Sequence, residues 1–341
     1  MIHDQHLEFH NVAELVATPA AQGRRLQRLP ESLRPALNPT ARVVACSPTH
    51  CEIRYVSDAP CVSITLHSEI HHEYIRIYQG DCFQQEICLE LGQTRTLELS
   101  RNPQLLQHAD RLRPDKTKGF STEVMRLRLS GTGRVCFLHV DTNGFSLRPP
   151  TAAEKPARTL LAYGSSITQG FSSSRMANAY VAQASHRLGL DFLNLGSGGS
   201  CHCEPEMGDY LAARPDWHVA WLELGINLLG AEPKVTDKQF RELAGGIIEK
   251  VSRNPHRCVI ATTLFLGGHD LPKAPRPAEP WRQILRELVQ ELSRPNLHLI
   301  EGADLLDWNG LTTDLCHPSD EGHAMISQRM VTYLNSISLH F

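Results

Sequence analysis

Thr159-Leu160-Leu161-Ala162-Tyr163-Gly164-Ser165-Ser166-Ile167-Thr168-Gln169-Gly170 is the stretch on which the reading of this chain turns. Five residues suited to a buried strand run into a glycine- and serine-containing turn, and a helical stretch follows around residues 177–188. A turn at the carboxyl end of a buried strand gathers backbone N–H groups at one point, where a nucleophile and a developing oxyanion can be held. The turn is too short for a Walker loop and has no lysine before its Ser/Thr. It lacks the third glycine of a dinucleotide fingerprint and the Gly-x-Ser-x-Gly spacing of a nucleophile elbow. Taken alone, a Gly/Ser turn after a strand is usually just a turn.

Outward from this stretch the pattern is strand, helix, strand, helix. Residues 191–195, 217–224, 258–265 and 297–300 read as further strands, and residues 205–214, 237–252, 280–292 and 320–334 as helices. Strands alternating with helices predict a mostly parallel sheet covered on both faces, a three-layer α/β/α domain over 158–341 with its reactive loops at the carboxyl ends of the strands. Residues 147–156 are polar and proline-rich and read as a linker, extending to about 157. Residues 1–150 carry a different signal. The runs 43–46, 51–56, 61–67, 74–78, 86–91, 95–99, 125–129 and 135–140 are short and β-rich, and most alternate polar and apolar residues. Alternation with period two puts one face on a core and the other in water. The expectation is an antiparallel β-sandwich or jelly-roll-like module ahead of the α/β domain.

Further chemistry lies at the predicted strand ends. Asp314-Leu315-Cys316-His317-Pro318 precedes the last helix. An aspartate three residues before a histidine can hold the imidazole in one tautomer, and the imidazole can then take a proton from a serine hydroxyl. The plainer alternative is that Asp314 or Ser319 caps the helix and His317 is a bystander. His323, inside that helix, is a weaker base candidate. Asn194-Leu195-Gly196-Ser197-Gly198-Gly199-Ser200 follows the second strand and Leu224-Gly225-Ile226-Asn227 the third. Glycine N–H groups and an Asn amide there can act as oxyanion donors.

Serine, glycine, asparagine and Asp-x-x-His in this order, each at a strand end, make the second half similar to the SGNH/GDSL hydrolase family. Gly164-Ser165-Ser166-Ile167-Thr168 resembles that family's nucleophile block, with Ser166 at the nucleophile position and Ser165 where the family has Asp. Asn194 and Gly199 match the second block, Gly225-Ile226-Asn227 the third with Leu228 replacing its final Asp, and Asp314 and His317 the last. The resemblance implies a triad of Ser166, Asp314 and His317 and an oxyanion hole of the Ser166 and Gly199 N–H groups and the Asn227 amide, with no cofactor. The two-domain layout is similar to relatives that remove acetyl groups from sugars. It implies a short acyl ester, on an acylated saccharide, as substrate. An acyltransferase sharing the acyl-enzyme, or a sugar-binding protein on an inactive scaffold, stands as the alternative.

Composition sets the outer limits. In 341 residues, 41% are hydrophobic and 21% charged, as in a globular protein able to bury two cores. A net charge of −3 speaks against broad attraction to nucleic acid or anionic membrane. The first residues do not resemble a signal peptide and no run has membrane-spanning length, so the expected location is the cytoplasm, with the ten cysteines reduced. Two patterns tempt a metal reading. Cys201-His202-Cys203-Glu204 has side chains that diverge, and His67, Glu69 and His71 fit a solvated strand face, so no metal is expected. Trp221 and Trp281 read as core or pocket wall. Cys316, next to His317 in sequence, is expected to point away from the imidazole edge that faces Ser166.

Overall fold

The computed structural model describes residues 2–3, 6–18 and 23–337; Met1, Asp4 and Gln5 of the amino-terminal stretch lie outside them. The chain forms two compact units. One comprises 1–31, 45–158 and 189–191, the other 32–44, 159–188 and 192–341.

The first unit is an antiparallel β-sandwich. One sheet has the order β1 (Ile2–His3), β2 (Glu8–His10), β5 (Glu52–Ser57), β10 (Met125–Leu129), β7 (Glu73–Gln79), β8 (Cys82–Leu89), with β12 (Leu147–Arg148) also pairing with β5. The other runs β3 (Glu14–Ala17), β4 (Arg24–Gln27), β11 (Arg134–Asp141), β6 (Val62–Ile70), β9 (Thr94–Leu99). Inward-facing Phe9, Ile53, Tyr55, Ile64, Leu66, Ile75, Ile77, Leu127 and Val135 form one buried cluster. The alternation in β5 and β10 thus marks one core-facing side, but the other side is not in water. Glu52, Arg54, Arg126 and Arg128 are buried as well. Glu52 accepts hydrogen bonds from all three arginines at 2.7–2.9 Å, and Arg54 also reaches Glu8 at 2.9 Å and both oxygens of Asp191 at 2.7 Å. The Phe120 ring closes over Arg126 at 3.7 Å. Buried charge is tolerated because each ion has partners at hydrogen-bonding distance.

Two expectations need correction here. Residues 43–46 do not form a strand. Val43 and Val44 end helix α1 (Pro39–Val44), started by Pro39 at its first position and by the Asn38 side chain, which accepts the Ala41 N–H at 3.0 Å. This start signal outweighs the β preference of two valines. The proline-rich stretch 147–156 is ordered structure rather than a free linker: β12 pairs with β5, and Thr151 and Glu154 form a capping box around residues 152–154. Two short helices, α2 (Pro103–Gln107) and α3 (Ala109–Leu112), complete the first unit.

The second unit is the three-layer α/β domain. Its sheet has the order β14 (Asp191–Asn194), β13 (Thr159–Tyr163), β15 (Val219–Glu223), β16 (Cys258–Thr262), β17 (Leu297–Ile300), and the pairs β13–β15, β15–β16 and β16–β17 are parallel. Its helices are α1, described above, and α4 (Ser166–Gln169), α5 (Tyr180–Leu188), α6 (Pro205–Ala213), α7 (Ile226–Leu229), α8 (Asp237–Val251), α9 (Glu279–Leu292) and α10 (Asp320–Ser336). In α9 the apolar residues Trp281, Leu285 and Leu288 fall on one face and are buried, the spacing that holds a helix on a sheet. Trp281 stacks on Phe240 of α8 with centroids 4.0 Å apart, and Trp221 is buried in β15, so both tryptophans are core. The chain leaves β13 and its neighbours β14 and β15 on opposite sides of the first strand, the switch point where open α/β sheets bind ligands.

Candidate active site

The turn after β13 is shaped by what surrounds it. Ser165 caps α4, its hydroxyl accepting the Ile167 N–H at 3.1 Å. Gly164 is required, since a Cβ there would lie 2.4 Å from Thr168 Oγ1 and 2.6 Å from Glu223 Oε2. Ser166 follows as the first residue of α4, largely buried, and its Oγ donates to His317 Nε2 at 2.7 Å. His317 Nδ1 donates to Asp314 Oδ2 at 2.7 Å, which fixes the tautomer whose Nε2 accepts from serine. The other oxygen of Asp314 accepts from the N–H groups of Cys316 at 2.8 Å and His317 at 2.9 Å and from Thr312 Oγ1 at 2.8 Å. Desolvation acts to raise the Asp314 pKa, but the His317 and Cys316 bonds outweigh it and hold the carboxyl well below its usual range. Asp314 thus bonds to His317 and does not cap the helix; the cap of α10 is Ser319, accepting the Gly322 N–H at 3.2 Å.

The loop after β14 is built around Asn194. Its Nδ2 donates to Thr168 O and its Oδ1 accepts the Gly196 N–H, both at 2.8 Å. Gln169 Oε1 takes the Gly198 N–H at 2.8 Å, which leads the chain into Gly199 at φ 65°, a left-handed conformation that glycine adopts freely. After β15, Gly225 at φ 120° opens α7, with Phe240 and Leu264 packed where a side chain would start. Asn227 Oδ1 accepts the Cys201 N–H at 3.0 Å. That bond settles which way the amide is turned and leaves Nδ2 as the free donor end. Leu228, at the place of the family's Asp, is buried.

Ser166, Gly199, Asn227 and His317 line one cavity of about 810 Å³, with Phe171, Ile226, Leu229, Pro275 and Arg276 among its walls. Arg276 ties the 267–277 loop down by donating to Leu229 O and Val235 O, both at 2.5 Å. Cys316 also lines this cavity, but burial pushes its thiol up to about 11, so it stays protonated and unreactive at neutral pH. His323 is fully buried, donates from Nε2 to Phe171 O at 3.0 Å and has its pKa lowered by burial to about 4; it is a structural histidine.

The metal-like patterns are dispersed. Cys201 and Cys203 are buried, Glu204 Oε1 is taken by Asn38 at 2.6 Å, His67 pairs with Thr94 at 2.9 Å and Glu69 with Thr18 at 3.0 Å. Among the described residues no group of three or more His, Cys, Asp or Glu converges on a point. None of the ten cysteines forms a disulfide, and no described helix is long and apolar enough to cross a membrane.

The pattern did not single out Glu223. It is fully buried at the end of β15, where Oε2 accepts from the Ser165 N–H and Oγ at 2.7 Å and from Thr168 Oγ1 at 3.1 Å. The available signal was an acid closing an otherwise apolar strand, two residues before Gly225.

Strand order and relay together define a flavodoxin-like α/β domain carrying Ser, His and Asp at the carboxyl edge of its sheet. Residues 162–325 match the model of the GDSL-like Lipase/Acylhydrolase family, which supports reading the second unit as a GDSL-like hydrolase domain. The whole chain is similar in fold to the salicylyl-acyltransferase SsfX3 from a tetracycline biosynthetic pathway (14% identity, 99% of this chain and 96% of that one, TM-score 0.79). It is also similar to a family two carbohydrate esterase from Cellvibrio japonicus (14%, 98% and 96%, TM-score 0.63). A third similar structure is an acetyl xylan esterase from Butyrivibrio proteoclasticus (13%, 100% and 97%, TM-score 0.58). No curated protein matches the chain.

Proposed function

We propose that this protein is a serine esterase acting through an acyl-enzyme on Ser166. The observation that carries the reading is the unbroken chain from Ser166 Oγ through His317 to Asp314, with both links at 2.7 Å. His317 takes the serine proton as Oγ attacks the ester carbonyl, and Asp314 stabilises the imidazolium that forms. The Ser166 and Gly199 N–H groups and Asn227 Nδ2 receive the oxyanion. His317 then returns the proton to the leaving alcohol, and water, activated by the same base, releases the acid. No metal or cofactor takes part in this sequence.

The substrate we propose is a short acyl ester, an acetyl ester first, on a saccharide. Two structures of similar fold, a carbohydrate esterase and an acetyl xylan esterase, support that choice. A second reading is transfer of the acyl group to an alcohol other than water. It is favoured by the fold similarity to an acyltransferase over nearly the whole chain. Hydrolysis of p-nitrophenyl acetate by wild type and Ser166→Ala, beside p-nitrophenyl octanoate, tests the esterase. Acetate turnover that vanishes in the variant is expected, and equal rates would overturn the assignment. Acetylated xylan and cello-oligosaccharides test the alcohol. Acyl-glycoside products formed with added acceptors would favour transfer.

A further inference from the structure

We infer that Glu223 is a positioning residue for the nucleophile, ordering the hydroxyl protons beneath the 164–168 turn so that Ser166 is held in its reactive orientation. The inference rests on the Ser166 reading above and adds a residue that the triad and oxyanion hole do not contain.

The argument follows the protons. Glu223 Oε2 receives the Ser165 N–H and the Ser165 O–H, both at 2.7 Å. A serine hydroxyl has one proton. With that proton committed to Glu223, the oxygen lone pairs of Ser165 are left to accept the Ile167 N–H at 3.1 Å, which is the cap that starts α4. Thr168 repeats the logic. Its proton goes to Glu223 at 3.1 Å, so its oxygen accepts from the Tyr180 hydroxyl at 2.7 Å. One carboxylate oxygen therefore fixes the residues before and after Ser166-Ile167, and Ser166 is the first residue of the helix so defined. Gly164 leaves room for this contact, because a Cβ there would sit 2.6 Å from that oxygen.

Ser165 stands where the family pattern has an aspartate. Here the carboxylate comes from the neighbouring strand and reaches the turn through the Ser165 hydroxyl. Tyr180, Cys201 and Cys316 are the other titratable groups that sense Glu223, and all three are neutral near pH 7, their pKa values raised chiefly by burial. Burial pushes Glu223 itself up to about 7, against the pull of the Ser165 and Thr168 hydrogen bonds.

The test is the labelling rate of Ser166 by a fluorophosphonate, read by intact mass, together with p-nitrophenyl acetate kinetics. Wild type, Ser166→Ala, Glu223→Gln, Ser165→Ala and the Glu223→Gln/Ser165→Ala double variant are compared. Displacing a nucleophile by part of an ångström lowers its reactivity by about 10- to 100-fold. Glu223→Gln is expected to label at least about 10-fold more slowly and to lose kcat in proportion, with KM within about twofold and an unchanged thermal midpoint. Ser165→Ala should slow labelling alone but add little in the Gln background, since both act through one hydrogen bond. A folded Glu223→Gln that labels at the wild-type rate overturns the inference. If Glu223→Gln does not fold, wild-type labelling of Ser165→Ala overturns it equally. Wild type that fails to label, or Ser166→Ala that labels equally, would instead sink the Ser166 reading.

Discussion

At the level of single residues, the site separates groups whose chemistry is required from groups that merely sit close to it. Asn227 is turned by the Cys201 N–H so that its Nδ2 is the available end of the amide. In the proposed mechanism its contribution falls on the transition state, where the oxyanion exists, rather than on the bound ester. Asn227→Ala should therefore lower kcat by about 10²–10³-fold with a small change in KM, measured on p-nitrophenyl acetate. Asp314→Asn acts differently. The amide can no longer accept the Nδ1 proton while also receiving the His317 and Cys316 N–H groups on its other atom, so the wrong tautomer is favoured. A fall in kcat of about 10²–10⁴-fold is expected. Cys316 supplies the contrast. Its thiol, raised to about 11, should resist iodoacetamide at pH 7.5, and Cys316→Ser should keep most of its turnover. A Cys316→Ser variant as inactive as Ser166→Ala would mean the cysteine has been misjudged.

Elements, rather than residues, decide how these groups meet, and here the sequence was uneven as a guide. The five parallel strands and long helices of the second unit were legible because burial on both faces leaves apolar runs, and amphipathic helices keep their 3.6 period. Part of the candidate site was legible because Ser166, Gly199 and Asn227 fall in the loops that follow β13, β14 and β15, whereas Asp314 and His317 lie well beyond β17 and were marked by their own spacing. Three things were not. Helix α1 hides two valines behind an Asn-Pro start. The polar face of β5 and β10 reads as solvated in sequence, yet Arg126 and Glu52 find each other only when residues 74 positions apart are brought together. Glu223 is a third case, because its partners Ser165 and Thr168 lie on another strand's turn. Gly225 shows how an element end carries function. At φ 120° it turns the chain from β15 into α7 while Phe240 and Leu264 press on its open face. Gly225→Ala should destabilise the protein by about 1–3 kcal/mol, and because Asn227 lies two residues on, kcat should fall too. Chemical denaturation and acetate kinetics on the same preparation would check both.

Across the whole molecule, the buried carboxyls pull stability in opposite directions as pH changes. In the first unit, burial acts to raise Glu8, Glu52 and Asp191, but the surrounding arginines more than offset it. All three end below their ordinary values, Asp191 at about 2. A depressed carboxyl stabilises the fold above its unfolded pKa, and that stability is lost as pH falls through the folded value. The network should therefore fail between about pH 4 and 2. Glu73 behaves in the reverse sense. Burial raises it to about 8 although the Ser130 and Gly131 N–H groups point at its Oε1, and Glu223 in the second unit is raised to about 7. In the fold they lose their protons only near pH 8 and 7, whereas in the unfolded chain they ionise above about pH 4.5, so their stability is full below that value and declines as pH rises towards 7 and 8. The thermal midpoint should then peak near pH 4–5. Glu73→Gln separates the two limbs, because it keeps an acceptor for Ser130 and Gly131 but cannot ionise. Its thermal midpoint should equal that of wild type near pH 4.5 and exceed it at pH 8, by an amount on the order of 2–4 kcal/mol in unfolding free energy. Parallel loss of stability in both proteins across that interval would mean that Glu73 is already ionised in the fold.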